Sequence, residues 1–327
     1  MANVIVVGAT GLVGETIRKI LEERNFPVDR IKFLASAQSA GKKIEFKGKN
    51  YEIAELKADQ FASDDDYAFF AVSADLAAQY VPIAAEKGIR VIDNSSHFRQ
   101  VEGIPLVVPE VNSQSITEDD RIIANPNCST IQCIAPLYLL DQHYGIKRVV
   151  YSSYQSVSGS GLKGLKDLAE GTHEAYVYPI RDNILPHIGD FLDNGYTSEE
   201  IKMIQETKKI LNNYDIKVTA TTARVPVPFS HSVSINVELK KDFDLEEVRS
   251  LFNDPSYGLS LVDEPSQNIY PYPTLIAGKD DILVGRVRRD DSLEYGLNLW
   301  TVADNIRKGA ALNAVQIAEK LLERSKY

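Results

Sequence analysis

The chain has 327 residues, too many for one ordinary core, so roughly two domains are expected. With 44% hydrophobic and 25% charged residues it reads as a soluble globular protein. A net charge of −10 excludes nucleic-acid binding by bulk phosphate neutralisation, and without an apolar run near the roughly 18 residues a spanning helix needs, no membrane segment is expected.

Residues 3–7 form a short, continuous apolar run, followed by Gly8-Ala9-Thr10-Gly11-Leu12-Val13-Gly14. Val13, Ile17, Ile20 and Leu21 then recur at helical spacing. Strand, glycine turn, helix is the order of a dinucleotide-binding unit. The glycines let backbone approach a pyrophosphate, and the helix N-terminus receives its charge. The spacing is GxxGxxG rather than GxGxxG, and a tight β–α turn without ligand is the alternative. The place of the turn, after a buried strand that opens the chain, favours the nucleotide on Gly8, Thr10, Gly11, Leu12 and Val13. The second strand, residues 31–35, runs into Ser36-Ala37-Gln38-Ser39-Ala40-Gly41. An NAD-specific unit usually carries Asp or Glu there for the ribose 2′-OH. Ser36, Gln38 and Ser39 leave room for a 2′-phosphate instead, so NADP is expected, although the loop holds no arginine.

Residues 67–72 read as a strand, 75–87 as a helix closed by Gly88, and 89–93 as the next strand. That strand ends in Asn94-Ser95-Ser96-His97-Phe98-Arg99. Ligands of open α/β sheets gather at such carboxyl ends, so Arg99 is a candidate anion ligand rather than only a surface arginine. Strand-like residues 106–108 and 121–124 lead to Asn125-Pro126-Asn127-Cys128-Ser129-Thr130. Ile131, Ile134, Ala135, Leu137 and Tyr138 continue at helical spacing, placing Cys128 at a helix N-terminus. Open N–H groups and the helix dipole there favour an anion, lower a thiol pKa and produce the nucleophilic thiolate. A small buried cysteine is the bland alternative. The only other cysteine, Cys133, lies five residues on along the same helix, so their side chains diverge and no disulfide is expected. Few thiols, and a strand beginning at Asn3 with no room for a signal peptide, suit a cytoplasmic protein.

Beyond Tyr144 the pattern changes. Residues 148–154 are a strand, and 155–161 a small-residue turn into a helix. Residues 172–197 show no period and read as an arm, and 198–211 are a helix with Glu199 and Glu200 in its first turn. Strands at 217–225, 231–239, 282–288 and 294–302 suit a mixed, largely antiparallel sheet with one face covered by helices. Residues 305–322 are helical and are expected to return to the first domain. The expected architecture is α/β: a Rossmann-type NADP-binding domain of residues 1–127 and 304–327, and an α+β domain of residues 128–303.

Glu206 and Lys209 share a helix face, as a solvated ion pair or part of a site. Arg224 ends one strand and His231 opens the next, so both flank one connection. A cysteine nucleophile, a proton-carrying histidine, a nicotinamide cofactor and cations for anionic substrate groups meet the needs of acyl-phosphate reduction, or of its reverse.

The chain resembles aspartate-β-semialdehyde dehydrogenases over essentially its whole length. The resemblance is carried by GATGLVG at 8–14, SAQSAG at 36–41, DNSSHFR at 93–99, VPEVN at 108–112, NPNCST at 125–130, YQSVSGSG at 154–161, ETKKI at 206–210, RVPVPFSH at 224–231 and DNIRKGAALNAVQIAE at 304–319. It implies NADPH-dependent reduction of β-aspartyl phosphate, at the branch to lysine, methionine and threonine, by a homodimer without a metal. It makes Cys128 the nucleophile, His231 the general acid/base and Gln155 the residue that orients the substrate or the thioester carbonyl. It assigns the substrate α-carboxylate to Arg224, the α-ammonium to Glu206, and the phosphate to Arg99, Lys209 and Asn127. It places Asn305 on the nicotinamide amide from the returning helix, and Ser73, Ser158 and Gly159 also on the cofactor. Residues 162–197 are shorter than in many bacterial members, and Gln38 stands where close relatives often carry arginine. The alternatives are an N-acetyl-glutamyl-phosphate reductase, a non-catalytic NADP-binding regulator and a cysteine hydrolase. Glu206 opposes the first, since an N-acylated substrate brings no ammonium to a buried carboxylate. The second needs none of Cys128, His231, Gln155 and Arg224, and the third leaves the glycine turn without purpose.

Overall fold

In the computed structural model, which describes residues 1–324, the chain leads directly into the centre of a sheet. β1 (Ala2–Val7) is followed by α1 (Leu12–Glu23), β2 (Val28–Ala35), the hairpin β3 (Lys43–Phe46) and β4 (Lys49–Glu52), and the short β5 (Ala54–Glu55). β6 (Tyr67–Phe70), α2 (Ala74–Glu86), β7 (Arg90–Asp93), the single-turn α3 (Pro109–Asn112) and β8 (Ile122–Ala124) complete the run. The strands lie in the order β5-β2-β1-β6-β7-β8 and every pair is parallel. β2 and β6 flank β1 on opposite sides, which makes the end of β1 a topological switch point. The turn after β1 needs its glycines: a Cβ on Gly8, at φ +82°, would lie 2.2 Å from the Ala71 carbonyl oxygen, and one on Gly14 2.2 Å from that of Gly8. The C-terminal helix Leu312–Arg324 adds Leu312, Val315, Ile317 and Leu321 to the same core as Val4, Ile17, Phe33 and Phe69.

The β3–β4 hairpin was not expected. Its turn, Lys47-Gly48, has positive φ at both residues (48° and 74°), the primed geometry that matches strand twist. Lys43, Glu45, Asn50 and Glu52 share one exposed face of the hairpin, while Phe46 and Tyr51 join the Phe33 ring cluster on the other.

The second unit begins with α4 (Cys128–Tyr144), β9 (Ile146–Gln155), α5 (Gly161–Glu170) and α6 (Ser198–Ile210). β10 (Lys217–Arg224), β11 (His231–Leu239), α7 (Leu245–Leu251), β12 (Leu259–Leu261), the single-turn α8 (Pro273–Ile276), β13 (Ile282–Asp290) and β14 (Gly296–Ala303) follow. The sheet order is β10-β9-β11-β14-β13-β12. The three inner pairs are antiparallel and the two outer pairs parallel, the mixed sheet expected. α4 packs on β9, β11 and β14, α6 on β10 and α7 on β13. Arg148, Val150, Tyr154, Asn236 and Trp300 are half-buried positions, with the Tyr154 and Trp300 rings 5.3 Å apart. Between α5 and α6 the arm carries no regular element beyond isolated bridges.

The chain divides into Met1–Pro126, joined by the chain from Ala310 onward, and Asn127–Gly309. The return therefore falls after Gly309 rather than at 304. The cause is local: Asp304 accepts from the Gly278, Ile306 and Arg307 N–H groups, and Asn305 bonds to Ser156, Ser158 and Ser230, all in the second unit. Nor is Asn305 on the returning helix. A widened turn at Arg307–Ala311, closed by the Gly309 N–H on the Asp304 carbonyl oxygen at 3.0 Å, separates it from that helix. Residues 325–327 of the expected first domain lie outside the described residues. No helix among the described residues is long and apolar enough to cross a membrane.

Candidate active site

Four strand ends of the second unit converge. β9 and β10 run parallel and finish in register, with Gln155 beside Arg224. β11 runs the opposite way and begins at that rim with His231, paired with Ala303 at the end of β14. Asn305 follows two residues later. Gln155, Arg224, His231 and Asn305 are all buried.

Cys128 is the first residue of α4 and is half-buried, a thiol like the fully buried Cys133. Asn127 caps the helix: its Oδ1 accepts from the Ser129 and Thr130 N–H groups at 2.9 and 3.3 Å. Two carboxylates of α6 hold the same residue. The Asn127 N–H donates to Glu206 Oε2 at 2.6 Å, and its Nδ2 to Glu199 Oε1 at 2.8 Å. Gln155 Nε2 donates to that same Glu199 oxygen at 3.2 Å, so one carboxylate ties the cysteine turn to the sheet rim. Burial pushes the Glu199 carboxyl up, but Lys202, the two amide donors and Arg224 outweigh it and hold it below the usual range. Lys209, half-buried on α6, is pulled down by burial against the opposing effect of Glu206.

Glu199 was not singled out from the sequence, because an acidic residue in a first helical turn looks like a partner of the helix dipole. The available signal was its spacing: Glu199 and Glu206 are seven apart, hence on one face, and that face is buried.

The His231 ring has one defined tautomer. Its Nδ1 accepts from the Ser156 N–H at 3.0 Å, and a backbone N–H can only donate, so the proton of the neutral ring is on Nε2. Burial, then Arg224, pushes its pKa well below the usual imidazole value, which keeps the ring neutral at pH 7. Nε2 is buried without a hydrogen-bond partner, a donor waiting for an acceptor. The Ser156 hydroxyl, 3.0 Å from Nδ1, donates to Asn305 Oδ1, which also accepts from the Ser230 N–H at 2.9 Å. Ser230 holds φ at +73°, a strained conformation for a non-glycine residue directly before His231.

Arg224 Nη1 donates to the Ser156 carbonyl oxygen at 2.7 Å. Gly159 lies over both Arg224 and His231: a Cβ there would be 2.7 Å from Arg224 Nη1 and 3.5 Å from His231 Nε2. Gly309 stands equally close to the cysteine, where a Cβ would be 3.0 Å from Cys128 Cβ. Ser158 bonds Asn305, so Ser158, Gly159 and Asn305 all stand around His231.

The first unit has its own cavity of about 390 Å³ at the switch point of its sheet. Gly8, Thr10, Gly11, Ser36 and Ser73 of the expected cofactor set line it, and Leu12, Val13, Gln38 and Ser39 do not. Glu55, Leu56 and Tyr80 also line it, and no sequence motif marked them. Gly11 caps α1 without a side-chain bond, and a Cβ on it would meet only the Gly8 oxygen, at 3.5 Å. Open N–H groups at an uncluttered helix start fit a pyrophosphate. Arg99, buried in this unit, donates from Nε to the Asn125 carbonyl oxygen at 2.9 Å and from Nη2 to that of Asn94 at 2.8 Å. Nearby Asp93 is pushed up by burial against two bonds from Ser95. Among the described residues no group of His, Cys, Asp and Glu could hold a metal.

Residues 3–119 match the family described as semialdehyde dehydrogenase, NAD binding domain, and residues 135–308 match semialdehyde dehydrogenase, dimerisation domain. The chain is 45% identical to an aspartate-semialdehyde dehydrogenase of Aquifex aeolicus, over 98% of each chain. It is similar to the crystal structure of aspartate semialdehyde dehydrogenase II from Vibrio cholerae complexed with ASA, with TM-score 0.94, 44% identity and coverage of 99% of this chain and 98% of the other. It is also similar to the aspartate semialdehyde dehydrogenase of Candida albicans with NADP, with TM-score 0.79, 26% identity and 99% of each chain covered.

Proposed function

Because the chain belongs to the aspartate-semialdehyde dehydrogenase family, we propose that it reduces β-aspartyl phosphate with NADPH to aspartate semialdehyde and phosphate, the branch-point step toward lysine, methionine and threonine. Two features of the second unit carry the reading: a cysteine at the first position of α4, and a buried, neutral histidine with its proton fixed on Nε2.

Cys128 attacks the acyl carbon; the carbon–oxygen bond to phosphate breaks, phosphate leaves, and a thioacyl-enzyme forms on the sulfur. The start of α4 favours the thiolate that does this. Arg224 takes the substrate α-carboxylate in a bidentate grip and Glu206 its α-ammonium. The phosphate is assigned to Lys209 and Asn127, and Gln155 orients the thioester carbonyl. The Gly8–Gly11 turn and the Ser36 loop would hold the nicotinamide cofactor, which when bound would supply the hydride. His231 Nε2–H donates a hydrogen bond to the oxygen that gains charge as the thioester is reduced, and stabilises that charge until the carbonyl reforms, the carbon–sulfur bond breaks and the aldehyde leaves with Cys128 again a thiolate. We assign the protein to the cytoplasm and to a homodimer, for which the dimerisation-domain match and the half-buried Tyr154 and Trp300 are the support.

The test is absorbance of reduced nicotinamide with aspartate semialdehyde, phosphate and either NADP or NAD. Phosphate-dependent reduction of NADP is expected, with none from Cys128→Ala. Activity of that variant within about tenfold of the parent sinks the assignment of the nucleophile.

A further inference from the structure

The arm after α5 has no sequence period, yet its first residues are tightly fixed. Asp167, buried on α5, accepts from Thr172 Oγ1 at 2.6 Å and from the Glu174, Ala175 and Tyr176 N–H groups at 2.8, 2.8 and 3.3 Å. One carboxylate therefore holds the backbone through Tyr176 in place. The Tyr176 hydroxyl lies 3.0 Å from Ser160 Oγ and 3.4 Å from the Val157 carbonyl oxygen. Room for it depends on Gly164, where a Cβ would lie 2.8 Å from the Tyr176 oxygen and 2.3 Å from that of Val157. So placed, the Tyr176 ring centroid stands 5.9 Å from the Arg224 guanidinium carbon, within cation–π reach.

Arg224 needs such a partner. Its Nη1 is bonded to the Ser156 carbonyl oxygen, while its Nε is buried without a hydrogen bond. Arg224 and Tyr176 both border a cavity of about 610 Å³ walled by arm residues such as Tyr178, His187 and Phe191. A long side chain beside that much space keeps one orientation only if something blocks the others.

We propose that Tyr176 is a positioning residue: its ring, locked by the Asp167 clamp, holds the Arg224 guanidinium out of the arm cavity and in the plane that grips the substrate α-carboxylate. The proposal rests on the reading of Arg224 as the carboxylate ligand and gives the arm a part in substrate selectivity.

The experiment compares Tyr176→Leu, Tyr176→Phe, Asp167→Asn and Arg224→Lys in the full-length enzyme. Each is assayed with aspartate semialdehyde and with 3-aminopropanal, which lacks the carboxylate. Tyr176→Leu is expected to raise KM for aspartate semialdehyde about 3- to 20-fold, with kcat within about threefold and KM for 3-aminopropanal unchanged. Tyr176→Phe keeps the ring and should stay within about twofold on both substrates. Asp167→Asn loosens the clamp and should give a smaller rise of the same selectivity, which keeps the test alive if the leucine variant does not fold. An unchanged KM in both Tyr176→Leu and Asp167→Asn overturns the proposal. So does a rise shared by both substrates, which marks a merely structural role, and so does a loss in Tyr176→Phe as deep as in Tyr176→Leu, which assigns the effect to the hydroxyl. If Arg224→Lys keeps the parent's preference for the carboxylate, the reading of Arg224 fails and the proposal falls with it, whatever the Tyr176 variants do.

Discussion

Replacing Asn127 with alanine removes two different interactions at the start of α4. The first is the helix cap on the Ser129 and Thr130 N–H groups, whose loss costs about 1 kcal/mol. The second is the donor at 2.8 Å to the buried Glu199 carboxylate, and bonds to charged groups contribute about 1.5–3 kcal/mol. Gln155 and Lys202 still reach Glu199 in the variant, so the charge is not stranded and the low end applies. The sum is about 2.5–3 kcal/mol, which for a unit of this size lowers the melting temperature by about 5–12 °C. Thermal unfolding followed by circular dichroism, at one protein concentration, reads it directly. Asn127→Ser separates the two contributions, because serine still caps but is too short to reach Glu199, and should lose only the second. Asn127→Asp keeps the cap and sets a second carboxylate against Glu199, so it should be at least as unstable as the serine variant. An alanine variant within about 2 °C of the parent, or an aspartate variant as stable as the parent, refutes the reasoning.

Three further outcomes are expected. His231 is neutral in the fold but protonates normally in the unfolded chain, so its contribution to stability is intact above about pH 6.5 and is lost as pH falls below it, by up to about 1.4 kcal/mol per pH unit. The melting temperature of His231→Gln should therefore decline less steeply than the parent's between pH 6.5 and 5, and equal slopes would count against a buried neutral ring. Gly309→Ala presses a methyl group on Cys128 Cβ and should cut kcat by about tenfold, with a matching change in the rate of alkylation by iodoacetamide. Unchanged kcat would show that the helix start yields freely. Glu55 lines the first unit's cavity and pairs with Lys57 at 2.7 Å, so Glu55→Gln removes a negative charge and releases a cation where a 2′-phosphate is expected. KM for NADP should fall by up to about fivefold while that for NAD stays level, and equal changes for both cofactors would place the 2′-phosphate elsewhere.

Much of this architecture is local and therefore readable from the sequence. The Gly8–Gly14 turn, the alternation of Val233, Ile235, Val237 and Leu239, and Cys128 at the start of an apolar helical pattern each announce themselves within a dozen residues. What stayed hidden depends on partners far along the chain. Glu199 reads from the sequence as a first-turn partner of the helix dipole because its donors, Asn127 and Gln155, come from other elements. Gln155 and Arg224 could be named singly, but only the strand register sets them side by side. Tyr176 lies in a segment without period because a carboxylate, not a backbone ladder, holds it. The end of the second unit was placed too early because Asp304 and Asn305 follow a strand as a helix start would, while their side chains are bound back to the sheet they leave.

The order in which this chain leaves the ribosome gives the divided first unit a cost in time. Its strands are complete by Ala124, but the helix that supplies Leu312, Val315, Ile317 and Leu321 to its core is made only after the second unit. At about 5–20 residues per second, that half-built core waits roughly 10–40 s while the intervening unit is made. During the wait the second unit, which is continuous in sequence, can fold on its own account, whereas the nucleotide-binding sheet presents uncovered apolar surface to the cell. A nonsense change at codons 312–317 would spare every proposed catalytic side chain, remove Ile317 and Leu321 from that core, and yield a chain destined for chaperones and proteases.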